Sequence, residues 1–218
     1  MSEVYKTSAA KEKMLKKIRK ALDTHKVSIP FPEAEQQQGA IYTSQDDTPE
    51  MVFAEAFTAL NGKFVFCQDE TELVENLVAL SDNMDWRKVY TREPVLLDLF
   101  TRAGLDFITT GDNWVEPDAG VTFCEALLAR TGTVLISSRQ DSGRMVSVYS
   151  PVHIVVAYRN QVLADIADGI DFLKKKYNGN LPSLINITTG PSRTADIEKT
   201  LVVGVHGPRE IYVFYVDQ

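Results

Sequence analysis

From residue 48 onward, segments with apolar residues at helical spacing alternate with short β-branched and aromatic runs, and this alternation restricts the fold more than any other feature. Thr48 and Pro49 can cap and open a helix that passes through Phe53 and Phe57 and stops at Asn61-Gly62, with a strand over Lys63–Cys67 directly behind it. The unit then repeats as a helix over residues 70–80, a strand over 87–91, a helix over 95–103 and a strand over 106–110. Apolar segments at 134–137 and 152–157, a helix over 162–177 and a segment at 184–188 continue the pattern, and β-rich pieces at 201–205 and 211–216 complete it. Strands separated by helices pair in parallel, so the pattern predicts an α/β fold built on a mostly parallel sheet.

The first 47 residues read differently. Ala10, Met14, Leu15, Ile18, Ala21 and Leu22 fall at helical spacing within 8–22, among lysines and arginines, and predict an amphipathic helix whose basic face is read as solvated. Residues 27–47 hold Pro30, Pro32 and three successive glutamines and read as a connecting arm. The expected organisation is an N-terminal helix and arm over 1–47 and a single α/β domain over 48–218. Lys11, Glu12, Lys13, Lys16 and Lys17 leave no apolar core for a signal peptide, and the strongest apolar run, 152–158, is too short for a membrane span, so the protein is expected in the cytoplasm. A net charge of -7 argues against a nucleic-acid partner. The chain's two cysteines, Cys67 and Cys124, lie too far apart in sequence to form a metal-binding or iron-sulfur motif, so no metal or bound cofactor is expected on this chain. Homo-oligomerisation is left open.

Four segments of the second half can carry chemistry. Thr131-Gly132-Thr133 is a hydroxyl-rich turn before an apolar strand, preceded by Cys124, Glu125 and Arg130; its threonines can hold a carboxylate or phosphate or satisfy the local backbone. The polar loop 137–144 brings Arg139 and Arg144, which can clamp an anion or solvate the loop. In Gly190-Pro191-Ser192-Arg193-Thr194-Ala195-Asp196-Ile197-Glu198, Ser192 or Thr194 is expected to cap a short helix whose free N–H groups attract an anion, reinforced by Arg193. Asp196 and Glu198 there are candidates for a general base or for holding a hard metal ion, or are merely structural. In Val205-His206-Gly207-Pro208, a sharp break between β-like segments, His206 is the histidine best placed to exchange protons, whereas His153 is read as a strand residue with a satisfied ring and His25 as ending a helix. Glu125, Asp196, Glu198 and His206 are therefore the acid–base candidates, and Thr131, Gly132, Thr133, Arg144, Gly190, Ser192, Arg193, Thr194, His206 and Gly207 the ligand-binding ones.

Taken in order, the Thr131, Pro151, Gly190 and Gly204 blocks resemble the LUD domain of the lactate-utilization protein C family. The resemblance implies a three-layer α/β/α sandwich similar to the sugar-phosphate isomerase and CoA-transferase superfamily. It further implies a part in oxidising L-lactate to pyruvate together with iron-sulfur partner proteins, this chain binding a small anionic ligand. Fold analogy alone supports an alternative, a stand-alone transferase, isomerase or ligase on a phosphorylated or folate-like substrate; the basic N-terminal helix supports another, a non-catalytic interaction module. Arg130 departs from the family pattern, which commonly has an acidic residue there.

Overall fold

Residues 9–24, 48–111, 116–197 and 200–218 are described by the computed structural model, with the backbone alone at 9, 10, 22, 24, 195–197, 200 and 201. The chain divides into two compact units, residues 1–44 and 45–218. In the first, α1 (Ala9–Thr24) leaves Met14, Leu15 and Ile18 exposed between its lysines. His25 lies outside the described residues.

The second unit opens with α2 (Pro49–Ala59), β1 (Lys63–Cys67), α3 (Glu70–Asn83), β2 (Val89–Tyr90), α4 (Pro94–Arg102) and β3 (Ile108–Thr109). Proline at the first turn opens α2 and α4, and the Asp69 carboxylate accepts from the Thr71 and Glu72 amides to cap α3. Then come β4 (Ala119–Phe123), β5 (Ala126–Leu128), β6 (Thr133–Ser137), α5 (Val146–Tyr149), β7 (Val152–Tyr158), β8 (Val162–Leu163), α6 (Ile166–Lys176), β9 (Ile185–Thr188), β10 (Arg193–Ile197), β11 (Thr200–Val203) and β12 (Glu210–Val216).

Six strands form the central sheet in the order β1-β12-β7-β4-β2-β3, and every neighbouring pair is parallel. The central strands β7 and β12 are apolar almost throughout because both faces are covered. On one face Val152, Ile154, Val156, Tyr212, Phe214 and Val216 pack with Leu73 and Leu77 of α3 and Leu96 and Phe100 of α4. On the other, Val155, Ala157, Ile211, Val213 and Tyr215 pack with Phe53 and Phe57 of α2.

That second face departs from simple alternation. Beside α2 it is covered by a four-stranded sheet in the order β8-β5-β6-β9, where β6 pairs antiparallel with both β5 and β9. Leu173 of α6 closes the far side of this sheet on Ala126, Leu128 and Leu135. The segment at 134–137 thus belongs to the second sheet. The helix expected over 162–177 begins only at Ile166, because Val162 and Leu163 pair with β5 and Asp165 caps the first turn of α6. A larger correction concerns the segment after Gly190. It is strand β10, paired antiparallel with β11, so Ser192 and Thr194 cap no helix and no helix N-terminus is available there for an anion. Among the described residues no helix is long and apolar enough to cross a membrane.

Seating α2 on the second sheet depends on two glycines. Gly132 has φ 57°, and a Cβ there would lie 2.3 Å from the Phe57 amide nitrogen. At Gly190 a Cβ would lie 2.6 Å from the Leu60 carbonyl oxygen. Both close approaches are to backbone, which cannot step aside. His153 is buried in β7 with Nε2 3.0 Å from the Thr122 hydroxyl, while Nδ1 has no hydrogen-bond partner, so its ring is only half satisfied. Burial pushes its pKa down to about 3.

Gly132→Ala is expected to lower unfolding stability by about 2–4 kcal/mol, the left-handed strain plus the overlap with α2. Gly143→Ala, also at positive φ (62°) but facing open space, should lose only about 1–2 kcal/mol. Equal losses in urea denaturation would contradict this view of how α2 is held. His153 gives a pH signature. Between its ordinary pKa of 6.5 and its folded value of about 3, the unfolded chain binds a proton that the folded state refuses. The histidine contribution to stability therefore falls, by roughly 1.4 kcal/mol per pH unit, as the pH drops below about 6.5. The difference in stability between wild type and His153→Gln, followed from pH 7 to pH 5, should show that slope; a pH-independent difference would rule it out.

Candidate functional site

Parallel sheets gather ligands outside the carboxyl ends of their strands. Here Glu93 follows β2, Phe123 ends β4, Tyr158 ends β7 and Gln218 follows β12, and all four line one cleft of about 770 Å³. The turn from β4 to β5 adds Cys124 and Glu125, the loop after β6 adds Arg139, Gln140 and Asp141, and the end of α6 adds Lys176 and Tyr177.

Glu125 is the centre of this arrangement. Its side chain has no exposed surface, yet Oε1 accepts the Ser137 hydroxyl at 2.5 Å and the Tyr177 hydroxyl at 2.6 Å, and Oε2 accepts the Lys176 ammonium at 2.6 Å. A buried carboxylate persists where such donors replace its lost water. Burial works against the charge on Lys176, but the hydrogen bond and attraction of Glu125 outweigh it and hold the ammonium above its usual pKa. Burial first, and then the bond to Glu125, raise the Tyr177 phenol. The Glu125 turn is itself pinned, since Gln161 donates from Nε2 to the Cys124 carbonyl at 2.7 Å while its Oε1 accepts the Tyr158 amide at 2.8 Å.

The cleft holds a second buried acid with different partners. Glu93 is 4% exposed; burial pushes its carboxyl pKa up, against hydrogen bonds from the hydroxyl and amide of Ser142. Two carboxyl groups in one cleft, one held by a cation and one pushed toward its neutral form, are the combination from which acid and base roles are drawn. Arg139 is exposed at the rim with its guanidinium carbon 5.0 Å from the centroid of the Tyr177 ring. Cys67 and Cys124 are free and buried, and burial raises both thiols, which makes them poor nucleophiles.

Of the residues singled out in the sequence, Cys124, Glu125 and Arg139 line the cleft. Several of the others come together elsewhere, around the end of α2. The Thr133 hydroxyl lies 2.8 Å from those of both Thr131 and Thr189, Gly132 and Gly190 receive the helix, and Arg193 donates from Nη2 to the Leu60 carbonyl at 2.6 Å. Arg193 thereby satisfies a carbonyl left open at the helix end. Ser192 donates its amide to Pro208 and accepts the Gly204 amide, and a Cβ on Gly207 would come within 3.0 Å of the Ser192 side chain. His206 on this corner is exposed and Thr194 is half-buried in β10. Arg144 donates to the Ser183 hydroxyl at 2.5 Å, and Arg130 makes a two-point contact with Asp165, the cap of α6. Asp196 lies in β10 with its side chain outside the described atoms, and Glu198 lies outside the described residues.

Sequence reasoning did not find Lys176, Tyr177, Ser137 or Glu93. Lys176 and Tyr177 are 51 and 52 residues from Glu125 and become its neighbours only because α6 packs on the second sheet. One signal was present. Asp165 caps α6, and a helix of this length starting there ends at Lys176.

Lactate utilization protein C of Bacillus subtilis (strain 168) is 39% identical over 106 residues, covering 47% of this chain and 44% of that protein. In that match the chain spans less than half the length of its relative. Lactate utilization protein C of Geobacillus kaustophilus (strain HTA426) is 27% identical over 191 residues, covering 84% of this chain and 77% of that protein. The crystal structure of a DUF162 family protein from Deinococcus radiodurans has a similar fold, with a TM-score of 0.58 at 20% identity over 77% of this chain and 96% of that one. The LUD domain model matches residues 11–216, nearly the whole length, and the chain belongs to the LUD domain family.

Proposed function

We propose that this protein is a component of a cytoplasmic L-lactate utilization system, in which it binds an anionic ligand in the Glu125 cleft and acts with iron-sulfur partner proteins in the oxidation of lactate to pyruvate. The relatives named lactate utilization protein C support the process. The observation that carries the binding role is the buried Glu125 carboxylate, held by Ser137, Tyr177 and Lys176 at the carboxyl ends of the parallel strands. Arg139 at the rim supplies positive charge, Lys176 balances the Glu125 carboxylate, and burial, by raising the Glu93 carboxyl pKa, weakens the negative charge there that would oppose an anion. In its protonated form Glu93 offers a hydroxyl donor to a carboxylate or carbonyl oxygen.

Deleting the gene should abolish growth on L-lactate in a strain with no redundant pathway, and the wild-type gene should restore it. The double variant Glu125→Gln/Lys176→Met avoids leaving one buried charge alone, which costs about 3–5 kcal/mol. It should fold, as read by circular dichroism, and fail to restore growth; full restoration would remove the cleft from the account. Glu93 adds a pH dependence. Its raised pKa means that the neutral form persists above the ordinary carboxyl range, so anion binding should weaken as the pH rises and Glu93 ionises. Calorimetric titration with pyruvate at pH 5 and pH 8 should show tighter binding at pH 5 in the wild type and a reduced pH dependence in Glu93→Gln. Equal dependence in both proteins would deny Glu93 this role.

A further inference from the structure

The walls of the cleft bear on the size of its ligand. A volume of about 770 Å³ lies within the range of roughly 300–1,000 Å³ typical of sites for drug-sized molecules. A three-carbon acid would leave most of it filled with water. The lining is also aromatic as well as charged: Phe123, Tyr158, Phe172 and Tyr177 all border the cleft, and each is only partly buried. Phe123 and Tyr158 form one tilted pair with centroids 6.0 Å apart. Phe172 and Tyr177 form the other wall element, bridged by the Lys176 ammonium at 5.7 Å from each centroid.

Cations are thus mounted on the rings rather than set apart from them. Arg139 lies over Tyr177, and Lys176 lies beside both Phe172 and Tyr177. Lactate or pyruvate can meet these cations but has no surface to cover four rings. A flat heterocycle can stack on the ring surface that these cations leave open, with an acidic group attached to it directed toward Lys176 and Arg139. Asp141 and Asn160, exposed at the mouth, offer an acceptor and an amide to the edge of such a ring system.

We propose that the cleft binds a planar aromatic heterocycle bearing an anionic group, of mononucleotide size, stacked on its aromatic wall with the anion at Arg139 and Lys176. This inference rests on the reading that the cleft is the ligand site, and deepens it by naming the ligand class.

The test is a titration of the full chain with flavin mononucleotide, followed by flavin fluorescence, and with adenosine monophosphate by calorimetry. Riboflavin, which has the ring system without the phosphate, and L-lactate and pyruvate serve as comparators. Saturable binding of at least one mononucleotide is expected, with riboflavin about ten-fold weaker than its phosphate ester if the flavin is the one bound. Arg139→Met and Phe172→Leu, both at partly or fully exposed positions, should each weaken mononucleotide binding by about ten-fold without loss of folding. If neither mononucleotide binds while lactate or pyruvate binds and is lost in Glu125→Gln/Lys176→Met, the aromatic-ligand inference is overturned and the cleft reading survives. If mononucleotide binding is indifferent to both Arg139→Met and Phe172→Leu, it is adventitious and the inference is again overturned. If none of the compounds binds, the cleft reading falls with it.

Discussion

A carboxylate stripped of water must recover its solvation from fixed donors, and in this protein that requirement ties three separate pieces of chain to one point. Glu125 sits in the turn from the parallel sheet to the second sheet; Ser137 comes from the end of β6, and Lys176 and Tyr177 from the end of α6. Removing one donor leaves part of a buried charge uncompensated. The positions of α6 and of the β6 end relative to the strand ends are therefore set by electrostatics as well as by packing. The cleft is the space left between them, and its partly exposed aromatic walls are the apolar stems of the same elements.

Scaffold and cleft use different residues. Parts of two of the four blocks that carry the family resemblance, Thr131-Gly132-Thr133 and the stretch from Gly190 through Arg193, meet around the end of α2, where two glycines admit the helix and an arginine takes up one of its open carbonyls. Their hydroxyl chain through Thr131, Thr133 and Thr189 joins the start of β6 to the end of β9. The close approach of the helix backbone leaves no room for a side chain at Gly132 or Gly190. Arg130, where the family commonly has an acid, has a structural use of its own in holding the α6 cap through Asp165.

The parallel sheet was legible in the sequence because crossover helices impose a spacing that periodicity records, as at Phe53 and Phe57 or Leu73 and Leu77. The second sheet was not. Its strands are two to five residues long, too short to show a period, and antiparallel pairing of β6 with β5 and β9 leaves no mark within any one of them. Ala119 and Gly120 at the start of β4 have low strand propensity, which hid that strand. The error at Ser192 has a definite cause: serine, threonine and acidic residues after a glycine are the local signature of a helix start, and pairing with β11 overrides it. Glu125 was within reach because it neighbours the threonine turn, whereas its partners depend on long-range packing that a linear pattern does not encode.

A crystal structure of the protein grown with the mononucleotide or organic acid that it binds most tightly tests the central claim most directly. Electron density for the ligand in contact with Lys176 and within reach of the Glu125 carboxylate is the predicted result. Density seated instead beside Thr131 or Arg193 at the end of α2, with the Glu125 cleft holding only solvent, would contradict it.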